Sequence, residues 1–175
     1  IGGAKSRLAR GVGRVEAWRL YRAMTAGVLR RLRDPRWSLV IAAAPDAAMS
    51  RRFPGVWPDD LPRRPQGGGD LGARQARVFA RRGPTIVIGS DAPQVGRDHL
   101  ARAFRNLRRA DAVIGPAEDG GYWLLGLNAP APPGLFERIR WSHTATREDL
   151  EAQLRRFDRS RIVRLEMLRD IDEAA

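Results

Sequence analysis

The sequence predicts an α/β fold, with a mostly parallel β-sheet covered by helices on both faces. Two observations carry that expectation. Short apolar runs of strand length alternate with longer segments of helical periodicity. Several of those runs are almost uniformly apolar, as strands buried on both faces must be. With 175 residues, 43% of them hydrophobic, the chain can bury one sizeable core, and a single domain over residues 1–175 is expected. No internal repeat and no second domain is visible.

From Glu16 to Arg33, the apolar residues Leu20, Met24, Val28 and Leu32 recur every fourth position, which predicts an amphipathic helix ended before Pro35. Residues 37–44 (WSLVIAAA), bounded by Pro35 and Pro45, read as a buried strand. The proline- and glycine-rich stretch 50–69 reads as a loop with one short extended piece before Gln66. A helix over 71–82, with Leu71, Val78 and Phe79 inward, precedes a second strand at 85–88. Another helix over 96–109, with Leu100, Phe104 and Leu107 on one face, leads to a third strand at 112–114. A fourth strand is expected within 121–127. Thr146 and Asp149 have the spacing of a capping box ahead of a helix carrying Leu150, Leu154 and Phe157. Ile162 to Leu165 reads as a short last strand.

Composition removes several functional classes. The absence of cysteine excludes disulfides and thiolate sites, and two isolated histidines, His99 and His143, cannot build a zinc centre. The longest apolar stretch, Leu39 to Ala44, is far too short to cross a bilayer and no segment has a signal-peptide layout, so a cytoplasmic, membrane-free protein is expected. The net charge of +12 suggests nucleic acid, but its distribution disfavours it: arginines lie throughout the chain with no tight block, and on the helix that carries Arg97, Arg102, Arg105, Arg108 and Arg109 the aromatic Phe104 falls on the apolar face with Leu100 and Leu107. Lys5 is the only lysine, a bias that fits genome composition.

Four segments and two short clusters could carry chemistry. In TIVIGSDAP an apolar strand runs into Asp91, the position where α/β folds bind ligands and a carboxylate can hold a hard cation; the alternative is an aspartate that merely caps the turn. In GPAEDGGYWLLGL, Glu118 and Asp119 precede Gly120 and Gly121, offering a base or hydroxyl acceptor where the backbone allows close approach, or else a plain acidic turn. In QGGGDLGAR, glycines ahead of Asp70 and a helix start could admit a phosphate or ribose, or form a flexible loop capped by Asp70. In GGAKSRL, Lys5 and Arg7 could neutralise a diphosphate or triphosphate, although Ala4 replaces the glycine that a P-loop needs before its lysine. Asp170 and Asp172, two apart in RDID, could complete a metal site with Asp91 or belong to a solvated tail. Trp141, Ser142 and His143 form a polar-aromatic cluster, whereas His99 on its helix reads as structural or exposed.

Taken in register, GAKSRL, QGGGDLGAR, IGSDAP, GPAEDGGYWLLGL, the WS pair and the terminal RDID resemble a bacterial family of GT-A-like transferases over nearly the whole chain. These are the radical-SAM or selenodomain-associated transferases, related to molybdenum-cofactor guanylyltransferase and to nucleotide-diphospho-sugar transferases. The resemblance implies a Rossmann-like three-layer sandwich of the GT-A type and a Mg²⁺- or Mn²⁺-dependent transferase. The donor would be a nucleotide-sugar or a nucleoside triphosphate, moving a glycosyl or nucleotidyl group to a small-molecule acceptor. By the same resemblance, Gly3, Lys5 and Arg7 hold phosphates, and Gln66, Gly69, Asp70 and Gly72 lie near the base or ribose. Asp91, with Asp172 or Asp170, binds the metal. Asp119 and Asp91 are the catalytic carboxylates, and Tyr122, Trp141 and Ser142 face the acceptor. The family's first strand has no counterpart ahead of Lys5, so more chain is expected before Ile1, and Glu173 and Ala174 replace the usual Thr-Pro after the last aspartate. The competing class is a non-catalytic basic module for nucleic acid or an acidic partner.

Overall fold

A computed structural model describes residues 13–90 and 92–169. Among the described residues, four α-helices and six strands follow one another, with one 3-10 turn at Asp46–Ala48 between the first two strands: α1 (Arg14–Arg31), β1 (Ile41–Ala43), β2 (Arg63–Pro65), α2 (Leu71–Val78), β3 (Thr85–Ile88), α3 (Arg97–Leu107), β4 (Ala112–Pro116), β5 (Tyr122–Leu127), α4 (Thr146–Arg156) and β6 (Ile162–Arg164). The α/β class expected from the alternation holds.

The main sheet has the order β3-β5-β4-β6 and is mixed, which corrects the expectation of a mostly parallel one. β4 and β6 are parallel, but β5 runs antiparallel to both its neighbours, β3 and β4. The reason is the connection: only residues 117–121 separate β4 from β5, and a parallel return needs a crossover of a dozen or more residues. β1 and β2 form a separate parallel pair.

Side-chain alternation along the strands splits the core in two. Val113 and Leu124 pack on one face with Val28 of α1 and Leu32 at its C-cap, and with Leu100, Ala103 and Leu107 of α3. Ala112, Ile114, Leu125 and Leu127 pack on the other with Phe79, Phe136 and with Leu150 and Leu154 of α4. The helices therefore cover both faces. The β4–β5 register shifts at Gly115/Pro116, where Pro116 pairs with Tyr122 and Gly115 with Leu124, so Trp123 is the extra residue of a bulge and joins Leu124 on the α1/α3 side.

Several local expectations change. Leu20 is exposed, because four-residue steps overshoot one turn by about 40° and carry it about 120° around the helix from Leu32. The strand expected over 37–44 shrinks to Ile41–Ala43, since Trp37 donates its Nε1 to the Leu32 carbonyl at 2.8 Å and stacks on Phe104 instead. Helix α2 stops at Val78, and the Phe79 carbonyl accepts from Ala131 rather than continuing the ladder. Its buried face is Gly72, Gln75 and Phe79, with Leu71 exposed. The capping box at Thr146 does not form: Thr146 Oγ1 turns back to the Arg140 and His143 carbonyls, and Asp149 pairs with Arg140 at 2.8 Å.

Candidate functional site

The strand directions bring the carboxyl ends of β3, β4 and β6 and the start of β5 to one edge of the sheet, where α/β folds place their ligands. The chain after β6 extends that edge: Leu168 N donates to the Pro116 carbonyl at 3.1 Å, and Glu118 N donates to the Leu168 carbonyl at 3.3 Å. Gln94 Nε2 donates to the Arg169 carbonyl at 3.0 Å. The segment following β3 and the segment following β6 thus meet, and they flank Asp91 on one side and Asp170 and Asp172 on the other. Those three aspartates, like Gly3, Lys5 and Arg7, lie outside the described residues. Among the described residues no group of three His, Cys, Asp or Glu side chains could hold a metal.

Asp119 occupies the β4–β5 turn at this edge. Its Oδ1 accepts from Gly121 N at 2.8 Å, and the residue is exposed. Gly120 (φ 86°) is pressed against the backbone of Thr144, and its carbonyl accepts from Arg147 N at 3.0 Å. The turn is thereby joined to the 141–147 segment. Within that segment Ser142 adopts φ 56°, a left-handed conformation that is uncommon for serine, and His143 Nδ1 accepts from Ala145 N at 3.0 Å.

The loop ahead of α2 closes the other flank. Gln66 Nε2 donates to the Ala42 carbonyl at 2.8 Å, and Gly67 N donates to Asp46 at 2.9 Å. Arg77 donates to the Gln66 carbonyl at 2.6 Å and also to the Gly68 carbonyl, while Arg74 Nε reaches the Gly69 carbonyl at 3.1 Å. Asp70 caps α2, accepting from Ala73 N at 2.8 Å. A carboxylate therefore already occupies this helix start, a poor place for a phosphate. A Cβ on Gly72 would stand 2.7 Å from the Phe136 carbonyl and 3.0 Å from Trp141 Nε1, so only glycine lets α2 approach this closely. One turn later Gln75 Nε2 donates to the Tyr122 hydroxyl at 2.6 Å, and burial pushes the phenol well above its ordinary pKa.

Three of the segments singled out from sequence, 66–72, 118–122 and 141–143, thus converge beside the edge where β3 and β6 deliver the flanks of the aspartates. Gln75, Thr144 and Arg147 join them without having been anticipated. For Gln75 a signal existed: it is the one polar residue at helical spacing between Gly72 and Phe79. His99 is structural, capping α3 through Gly96 N at 3.1 Å and standing edge-on to Trp123. Two clefts, of about 380 Å³ beside Trp37 and Leu61 and about 280 Å³ beside Gly134 and Phe157, are lined by none of the converging residues. No described helix is long and apolar enough to cross a membrane.

No curated protein sequence matches the chain. Over 98% of its length it matches a crystal structure from Desulfovibrio desulfuricans G20 with a TM-score of 0.85 and 27% identity, covering 77% of that chain, which is described as a "putative nucleotide-diphospho-sugar transferase". Residues 28–143 match the model of a family described as an uncharacterized protein conserved in bacteria, DUF2064, and the chain belongs to that family.

Proposed function

We propose that the protein is a metal-dependent transferase that takes a glycosyl group from a nucleotide-diphospho-sugar donor; a nucleoside triphosphate donor and nucleotidyl transfer are the variant of the same chemistry. The observation that carries this reading is the convergence of the 66–72, 118–122 and 141–143 segments at the sheet edge where Gln94 and Arg169 meet. The likeness to the Desulfovibrio protein supports it, as does the resemblance to GT-A-like transferases.

The donor set fits a hard cation, since Asp91, Asp170 and Asp172 offer only carboxylate oxygens and their flanks adjoin. These residues would hold Mg²⁺ or Mn²⁺, which when bound neutralises charge developing on the leaving diphosphate. Lys5 and Arg7 take the remaining phosphate oxygens. The loop from Gln66 to Gly72 seats the base or ribose, in keeping with an Asp70 carboxylate that would repel phosphate. Asp119, whose second oxygen is not used by Gly121, accepts the proton of the acceptor hydroxyl, and Tyr122, Trp141 and Ser142 line the acceptor side.

A thermal-shift screen of nucleotides and nucleotide-sugars with and without Mg²⁺ or Mn²⁺ tests the reading, because a ligand that binds only the folded state raises its apparent stability. A metal-dependent shift with one donor, lost in Asp91→Ala and Asp172→Ala, is the expected result. Unchanged metal-dependent binding in both variants overturns the metal site. Mg²⁺-independent binding to nucleic acid that weakens steeply with salt would make the protein a basic binding module instead.

A further inference from the structure

The inward face of α2 carries a single polar side chain. Gln75, 8% exposed, lies between Gly72 and Phe79 on that face. Its Nε2 is used by the Tyr122 hydroxyl, but its Oε1 is buried and has no hydrogen-bond partner among the described residues. Because the phenol oxygen accepts from Gln75, its own proton is available for a further acceptor. The pair therefore presents one unused acceptor and one unused donor side by side. Its setting is the proposed site: Tyr122 directly follows the Asp119–Gly121 turn, and Gly72, one turn before Gln75, packs against Trp141.

The ligand group that satisfies this pair must donate and accept at once. A phosphate oxygen would set acceptor against Oε1, and an ammonium could take no hydrogen bond from the phenol. A hydroxyl does both. We propose that Gln75 and Tyr122 together read one ring hydroxyl of the transferred sugar, which donates to Gln75 Oε1 and accepts from the Tyr122 O–H. This rests on the sugar-nucleotide reading above, puts Tyr122 where the transferred sugar meets the acceptor side, and adds the residues that distinguish a donor carrying its sugar from the bare nucleotide. Burial keeps the phenol protonated and so keeps it a donor.

The test is calorimetric titration of the full chain with UDP, GDP, UDP-glucose and GDP-mannose in the presence of Mn²⁺, for the wild type, Gln75→Leu and Tyr122→Phe. The expected result is a wild-type gain of about tenfold or more in affinity when the sugar is present, lost in both variants while affinity for the nucleoside diphosphate changes less than about twofold. Gln75→Leu removes the unpartnered Oε1 together with the Nε2 that donates to Tyr122, so a modest drop in melting temperature is expected; a cooperative melt and retained affinity for the nucleoside diphosphate separate lost recognition from lost folding. Should it fail to fold, Tyr122→Phe, which removes one oxygen, carries the test. A wild type indifferent to the sugar, or variants that keep its gain, overturns the proposal while leaving nucleotide binding intact. If none of the four probes binds the wild type, the donor reading fails by itself. Titration of ¹⁵N-labelled protein with free glucose and mannose then decides the pair: shifted Gln75 side-chain amide signals that are unmoved in Tyr122→Phe support it, and unmoved wild-type signals overturn it.

Discussion

A Cβ placed on Gly120 would lie 1.9 Å from the carbonyl oxygen of Thr144. The β4–β5 turn carrying Asp119 and the segment carrying Trp141 and Ser142 are therefore in backbone contact, and no side chain can be fitted between them. Gly120→Ala must separate the two segments and also strain a residue at φ 86°. A loss of about 3 kcal/mol is expected in urea unfolding. Gly68→Ala is the control, since nothing lies within 4 Å of its Cβ position, and should change stability by less than about 0.5 kcal/mol. Equal effects at the two glycines would mean that the 120–144 contact is not tight.

Asp70 holds the first turn of α2 through Ala73 N at 2.8 Å. Removing an N-cap side chain costs about 1 kcal/mol, whereas asparagine caps nearly as well as aspartate. Asp70→Ala is expected to lower the urea midpoint and Asp70→Asn to preserve most of it. A midpoint unchanged in Asp70→Ala would show that the cap contributes nothing.

Glu151 is only 2% exposed and meets three arginines: Arg147 at 3.2 Å, Arg155 at 3.1 Å and the Nε of Arg164 at 2.8 Å. Burial pushes its carboxyl up, but the hydrogen bonds and charges of Arg164 and Arg147 outweigh this and hold it below the ordinary range. Glu151→Ala leaves guanidinium groups without their buried counter-charge and is expected to cost about 3 kcal/mol. Because the carboxylate is shielded from solvent, most of that loss should remain in 1 M NaCl, whereas an exposed pair would be screened. A loss abolished by salt would place the network at the surface.

The Asp149 carboxyl is lowered from an ordinary 3.8 to about 2, chiefly by its side-chain hydrogen bonds with Arg140. The folded state then binds this proton less readily than the unfolded chain, so the pair stabilises fully above about pH 4 and loses its contribution as pH falls through 2. Asp34, lowered to about 2 by Arg36, titrates in the same window. Asp149→Asn should flatten the acid limb of a urea-midpoint profile between pH 4 and pH 2 and lower stability evenly at neutral pH. A variant whose acid limb matches the wild type would assign the acid sensitivity to other groups.

Much of the secondary structure was legible from the chain, because strand and helix preferences act over a few residues. The run TIVI became β3 at the expected residues, and Leu100 and Leu107 lie buried on α3 as their spacing requires. The antiparallel course of β5 is also legible, in the five-residue connection after Pro116, although the alternation of helices and strands by itself points to parallel pairing. The site was legible only as separate segments. Glycines and acids marked 66–72 and 118–122, whereas Gln75 and Arg147 looked like ordinary helix positions.

By itself the sequence determined the element order, the apolar faces and the kinds of group available for chemistry, since periodicity and turn residues are local properties. The tertiary structure decided which of those groups meet. Contacts such as Gln75 with Tyr122, Gly72 with Trp141 and Gly120 with Thr144 join residues far apart in the chain, and which polar atoms they satisfy or leave unpaired depends on how whole elements pack.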